Sequence, residues 1–363
     1  MKKVAETGPE EEISQELPQK REGAGLADMI AALMPLFVPA YFFYGERPLF
    51  ISLVTVLAAL AADILCTRMR GRKIGVHNLS AAVTGLIIAL LMPASVSYAV
   101  PISAALFAIL VVKHPFGGYG RNIFNPAAAG YAFAAVLFPK AVFSFPAPFT
   151  KLAADAAVQD LSLQTSLLAA LKLRTLPQTS LFSLMLGGVP GPMGTTGILI
   201  IAACLLYLLV RRVVKFQTVL PFLITVFAFA WLFPRIPGGR LASAGYEMMA
   251  GPLLFCGVYM VSDPATMPKT GKGAAAYGIL CGLLAMVFRY YGAFEEGFCF
   301  ALLIANALAG WLDRQLSKIS FKELGIRGLA ALRGLLRRAA GMIRKTAAEK
   351  GGAGNGHSNH KKV

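Results

Sequence analysis

Chemistry-bearing residue types crowd into one stretch, Lys113-His114-Pro115-Phe116-Gly117-Gly118-Tyr119-Gly120-Arg121-Asn122-Ile123-Phe124-Asn125-Pro126-Ala127. Gly117, Gly118 and Gly120 let a backbone approach a ligand closely. Lys113 and Arg121 can hold a phosphate or carboxylate. The amides of Asn122 and Asn125 offer donors and acceptors to a planar heterocycle. The same composition suits a tight turn with positive charge, and the stretch alone does not choose between the two.

A second cluster, Ser262-Asp263-Pro264-Ala265-Thr266-Met267-Pro268, follows an apolar run. Asp263 falls near a membrane boundary, where a carboxylate is costly and so points to function. A helix stop plus a loop explains the prolines equally well. The run 187–196 is rich in glycine and proline and ends in Thr195-Thr196. It suits an anion at a helix N-terminus or plain capping. Glu295 and Glu296, upstream of Asn306, read as a cation-attracting edge or as a solvated loop. Asp28 and Asp63 are lone charges in or near the first two apolar runs. His77 and His114 show no metal-ligand spacing, so no metal is expected.

The elements that must position these residues are membrane spans. The chain has 363 residues, 56% hydrophobic and 15% charged, with a mean hydropathy of +0.63. Soluble domains carry about 25% charged residues. About ten apolar runs can cross a bilayer, allowing for tilt and short spans: 26–44, 49–66, 79–93, 96–112, 123–139, 195–210, 216–233, 248–262, 275–289 and 297–312. The segment 181–189 reads as a partial, re-entrant span. The net charge of +17 would suggest nucleic acid in a soluble protein, but here it follows membrane orientation. With the loop at Arg68–Lys73 placed inside, 27 Lys and Arg fall on the inner side and 7 on the outer. Both termini then lie in the cytoplasm.

Three regions result: a polar N-tail (1–25), a transmembrane domain (26–313) and a basic C-tail (314–363). An extracytoplasmic loop, 140–194, is far longer than the usual connection of a few residues. Apolar positions in 314–346 fall near helical spacing with arginines between them. This reads as an amphipathic helix on the anionic leaflet or as a docking helix for a partner subunit. The five cysteines lie in or at the ends of apolar runs with no CxxC pair, which favours packing over an iron–sulfur site.

Together the clusters resemble one family. The run Phe116-Gly117-Gly118-x-Gly120-x-Asn122-Ile123-Phe124-Asn125-Pro126-Ala127, followed by Gly130-Tyr131-Ala132-Phe133, is similar to the signature of the D-type component of the Rnf electron-transport complex (RnfD). The B-type component of the sodium-pumping NADH:quinone reductase (NqrB) shares it. Asp263-Pro264-x-Thr266-x-Pro268, the run 187–194, Leu90-Leu91-Met92-Pro93, and Glu296-Gly297 with Asn306 follow in the order that family shows. The likeness spans about 26–314.

The resemblance implies an all-α polytopic membrane protein of about ten helices, arranged as two inverted five-helix repeats. It implies one subunit of a six-subunit, ion-motive flavoprotein complex in the bacterial cytoplasmic membrane. The other Rnf-type components (A, B, C, E and G) are the implied partners, and Na⁺ or H⁺ the implied ion. FMN is implied on a threonine of a Ser/Thr-Gly-Ala-Thr motif. Here Ser162 and Thr165 match that motif, while Leu163 and Gln164 replace Gly and Ala. A second, noncovalent flavin (riboflavin) is implied, with Asn122, Asn125, Asp263 and Thr266 as candidates to hold it or shape an ion path. The chain has neither a dinucleotide-binding fingerprint nor an iron–sulfur motif, so partners must supply those functions. The rival reading is a flavin-free transporter or channel for a small solute.

Overall fold

The computed structural model describes residues 23–318, apart from 73, 76–77, 156–162, 165, 176 and 178. Nearly all of the N-tail, most of the C-tail with its expected amphipathic helix, and both Ser162 and Thr165 therefore lie outside the described residues. The chain divides into two units, Met1–Asp313 and Arg314–Val363, and the first holds nearly all of the described residues.

The unit is helical. In chain order the helices are α1 (Gly23–Tyr44), α2 (Arg47–Met69), α3 (Leu79–Leu91), α4 (Ala99–Lys113), α5 (Pro126–Leu137) and the single turn α6 (Pro139–Val142). The strands β1 (Phe145–Pro146) and β2 (Leu163–Gln164) follow, then α7 (Leu167–Lys172) and α8 (Leu181–Leu186). The remaining helices are α9 (Ile198–Val210), α10 (Phe216–Leu232), α11 (Arg240–Met249), α12 (Leu253–Tyr259), α13 (Gly271–Tyr291) and α14 (Phe298–Ser317).

Among the described residues, α1, α2 and α13 are long and apolar enough to cross a membrane. The pair α11 and α12, bent by 58°, passes as a fourth when counted as one span. Helices α3, α4, α5, α9 and α10 are shorter and apolar. Their outer faces carry large apolar side chains, as a lipid-facing surface requires. On α2, exposed Leu49, Leu53 and Leu57 recur at one-turn spacing, while Ile51, Thr55, Ala59 and Asp63 are buried on the other side. This is a helical membrane protein.

Two boundaries differ from the sequence reading. The stretch 234–247 reads as a loop in the sequence, but α11 begins at Arg240 and buries Ser243, Tyr246 and Glu247. Its polar inner face hides it from an apolar-run count. The segment 181–189, read as a partial span, holds only α8, whose six residues rise about 9 Å.

Short helices leave backbone groups that must be satisfied internally in lipid. At the end of α3, the N–H groups of Gly194 and Met193 donate to the carbonyls of Leu90 (2.8 Å) and Met92 (3.0 Å). The 187–196 run therefore completes α3 from another part of the chain. Its choice between anion site and capping resolves toward backbone completion at these two amides. The long loop is also ordered where described. Phe145 and Pro146 pair antiparallel with Gln164 and Leu163, and Leu168, Leu171, Leu184, Ile236, Tyr246 and Ala250 form a satellite core.

Helix contacts rest on small residues, as they do in lipid, where apolar attraction between helices vanishes. A Cβ on Gly278 of α13 would stand 2.3 Å from the Thr218 carbonyl of α10, and one on Gly130 of α5 would stand 2.6 Å from the Ala104 carbonyl of α4. Gly310 meets nothing within 4 Å. Gly278→Val should destabilise the protein by about 1–3 kcal/mol through overpacking, whereas Gly310→Ala, inside a helix with open space at its Cβ, should stabilise it by up to about 1 kcal/mol. Thermal unfolding of the two variants in detergent checks this.

Candidate functional site

Residues from distant parts of the chain surround a cavity of about 730 Å³. Its apolar walls include Leu26 and Met29 of α1 and Val83 and Ile87 of α3. Its polar wall includes Asn122, Asn125, Asp263, Thr84 and Lys113, with Tyr119 and Tyr259 beside them. The cavity thus joins the 113–127 stretch to the 262–268 cluster.

Asn125 is the tie between them. Its side-chain oxygen accepts from the Ala128 N–H at 3.1 Å, capping α5, with Pro126 suited to the first helical position. Its Nδ2 donates to Asp263 Oδ2 at 3.3 Å, and its backbone N–H donates to Asn306 Oδ1 at 2.9 Å. Asn306 Nδ2 in turn donates to the Tyr277 hydroxyl oxygen at 2.6 Å. Asp263 also accepts from the Ala265 N–H at 3.1 Å and from Thr266 Oγ1 at 3.2 Å. Thr266 therefore acts by orienting Asp263 and is not itself part of the cavity wall. The Asn122 amide nitrogen, in the orientation that satisfies both of its ends, donates to the carbonyls of Gly118 (2.8 Å) and Lys113 (3.2 Å).

Lys113 departs from its expected part. Its ammonium is buried, 2.8 Å from Asp63 Oδ1, and it donates to Ser80 Oγ at 2.7 Å. Its charge is neutralised within the protein and does not stand ready for an anion. Asp63 also accepts from Asn78 Nδ2 at 2.6 Å and lies 2.8 Å from His114 Nε2. Gly117, Gly118 and Arg121 line a second, smaller cavity of about 250 Å³ together with Lys113, Asp63 and His114. The 113–127 stretch thus serves two cavities that share Lys113 and Tyr119.

A separate charged cluster forms where α11 and α13 meet the 292–297 loop. Arg289, fully buried, donates to Glu296 at 2.9 Å and to the Ala250 carbonyl at 3.1 Å. Arg235 donates to Glu247 at 2.7 Å and stacks 3.9 Å over the Tyr290 ring. Glu295 accepts from Ser166 Oγ at 2.6 Å, which holds the residue next to Thr165. Burial pushes the Glu295 carboxyl above its ordinary value. Lys172 donates to the carbonyls of Gly292 and Phe294. Glu295 and Glu296 are thus neither a solvated loop nor an open cation site. Thr165 itself lies outside the described residues; its neighbours Leu163 and Gln164 are exposed.

Sequence reasoning marks Asp63 as a lone charge and finds no metal spacing for His114, without partners for either, and it passes over Glu247 and Arg289. The usable signal is charge inside or at the end of an apolar run.

A helical membrane protein whose asparagine-rich loop and Asp-Pro turn enclose a polar-walled cavity is a recognisable class. The chain belongs to the NQR2, RnfD, RnfE family, whose model matches residues 22–322. It is 28% identical to the D-type component of the Na⁺-translocating ferredoxin:NAD⁺ oxidoreductase complex of Acetobacterium woodii, over 80% of this chain and 87% of that protein. It is equally 28% identical to the D-type component of the proton-translocating ferredoxin:NAD⁺ oxidoreductase complex of Clostridium ljungdahlii, over 80% and 88%. The D-type component of the ion-translocating oxidoreductase complex of Halorhodospira halophila is 28% identical over 82% and 91%.

Removing one member of a buried ion pair strands the other charge and costs about 3–5 kcal/mol. Asp63→Asn should therefore destabilise strongly, as should Lys113→Met. The double variant Asp63→Asn with Lys113→Met should recover most of the loss. Thermal unfolding and gel filtration in detergent report all three.

Proposed function

We propose that this chain is the D-type component of an Rnf-type electron-transport complex, relaying electrons through bound flavin and coupling that relay to Na⁺ or H⁺ movement. The observation that carries the proposal is the 730 Å³ cavity, which gathers Asn122, Asn125 and Asp263 beside apolar walls. Ligand pockets have this size and mixture. The walls fit an isoalloxazine: Val83 and Ile87 offer apolar contact, while Asn122, Asn125 and Asp263 supply polar edges. Flavin, when bound, supplies one- and two-electron chemistry; the protein supplies position and electrostatics. In this reading Asn125 and Thr266 hold Asp263 in place, and α1 and α3 keep water from the ring.

FMN joined through its phosphate to Thr165 is the second part of the proposal. The exposed Leu163 and Gln164 support it, because a flavin-transferring enzyme must reach this stretch. Ser166, next in sequence to Thr165, is tied to Glu295. The identical likeness to one sodium-named and one proton-named relative means that overall similarity does not choose the ion.

The proposed arrangement is ten spans in two inverted repeats, both termini cytoplasmic, in the bacterial cytoplasmic membrane. A correspondence of charged ends supports it. Lys113 closes α4 ahead of Asn125-Pro126 at the start of α5, and Arg289 lies in the last turn of α13 ahead of Glu296-Gly297 at the start of α14. Each of these two cations is buried on a carboxylate. Components of types A, B, C, E and G are the proposed partners, supplying the nicotinamide and iron–sulfur functions.

The chain co-expressed with a flavin transferase, denatured in SDS and run on a gel, should give a fluorescent band that Thr165→Ala abolishes. A dark band, with no flavin released from the native protein either, would remove the relay role and favour a flavin-free transporter or channel.

A further inference from the structure

The smaller cavity has a composition the flavin reading does not use. Arg70, Arg72 and Arg121 line it together with Thr67, Asn78 and His114. Among the described residues, the carboxylate in its wall is Asp63, already paired with Lys113. None of the three arginines forms an ion pair with a carboxylate among those residues. Arg70 and Arg72 instead donate to the carbonyls of His114 and Gly117, which aligns the 114–118 turn along the wall. Gly117 and Gly118 adopt left-handed backbone, φ 110° and 92°, so side chains are absent where the turn borders the cavity.

His114 adds a second, independent feature. It is 7% exposed, and its Nδ1 is buried without a partner. Its other nitrogen faces Asp63 Oδ1 at 2.8 Å. A carboxylate only accepts, so Nε2 carries the proton. Burial lowers the imidazole pKa, with Asp63 acting in the opposite direction and Lys113 and Arg70 adding to the lowering. The ring is then neutral, and Nδ1 is a bare acceptor that a hydroxyl group would satisfy.

We propose that this cavity binds a phosphate ester bearing a hydroxyl group, its anionic oxygens on Arg70, Arg72 and Arg121 and its hydroxyl donating to His114 Nδ1. Guanidinium groups suit phosphate because their donors form a fixed fork. A cavity of about 250 Å³ takes a phosphate with a short polyol. The cavity sits at the last turn of α2 and the first of α3, where an apolar bundle meets the headgroup layer, and basic pockets at that level hold anionic lipid headgroups. The chemistry is shared by a glycerol-phosphate lipid headgroup and by free glycerol phosphate.

The test is thermal unfolding of the delipidated full chain in neutral, phosphate-free detergent. The probes are dihexanoyl-phosphatidylglycerol, glycerol 3-phosphate, inorganic phosphate and dihexanoyl-phosphatidylcholine. The glycerol-bearing phosphates should raise Tm saturably. Stabilisation by the lipid alone would assign a headgroup site, and stabilisation by both would admit the free ester. Because charge-assisted contacts are the strong ones, Arg72→Gln with Arg121→Gln should weaken binding by at least about tenfold. Both side chains are exposed, so the fold should survive. Arg68→Gln, exposed and outside the cavity wall, should change nothing. His114→Phe should abolish the preference for glycerol 3-phosphate over inorganic phosphate. Equal stabilisation by phosphatidylcholine, an equal effect of inorganic phosphate on the native chain, no stabilisation by any probe, or undiminished binding in the double arginine variant would each overturn the proposal.

Discussion

An ammonium group with 3% exposure inside an apolar bundle requires a counter-charge, and Asp63 supplies it at 2.8 Å. Much of the described polar architecture at that end of the protein follows from this pair. Asp63 belongs to α2 and Lys113 to the end of α4, so the bond joins two helices. Asn78 and His114 meet the same carboxylate, which brings the start of α3 and the 114–118 turn to the same point. Lys113 also lines both cavities, and Asp63 the smaller one. A buried pair of this kind adds little net stability, but either charge alone would be costly. Its consequence is therefore position: it fixes which faces of α2, α3 and α4 turn inward.

The same rule operates around Arg289, where Glu247 and Glu296 share the counter-charge. That cluster connects the bent α11–α12 pair to the start of α14 and, through Glu295 and Ser166, to the long loop. Two charged assemblies thus each stand at the end of a helix that is followed by a loop and a new span.

The helical class and the approximate positions of the apolar helices were legible because long apolar runs are few in any other kind of protein. The asparagine-rich loop and the Asp-Pro turn were each legible as candidates, because both break the apolar pattern; their grouping came from the family resemblance and not from the pattern. Partner choice was not. Nothing in the spacing of Lys113 and Asp63, fifty residues apart, distinguishes a lysine waiting for a phosphate from one neutralised by a neighbouring helix. Nor does the string 240–249 look like a buried helix, since its inner face carries Ser243 and Glu247. Asn125 showed its type but not its geometry: one side chain caps α5 and reaches Asp263 at once, a connection that depends on tertiary contact across 138 residues.

The central claim is that the larger cavity holds a flavin independently of any covalent attachment. Acid extraction of the native chain, with the released flavin quantified per chain, tests it directly. The account predicts a comparable flavin content in native protein and in Thr165→Ala, and its loss in Val83→Trp, where a ring fills the cavity from α3, provided that variant elutes as folded protein. A native chain that releases no flavin, or a folded Val83→Trp that releases as much as the native chain, would contradict it.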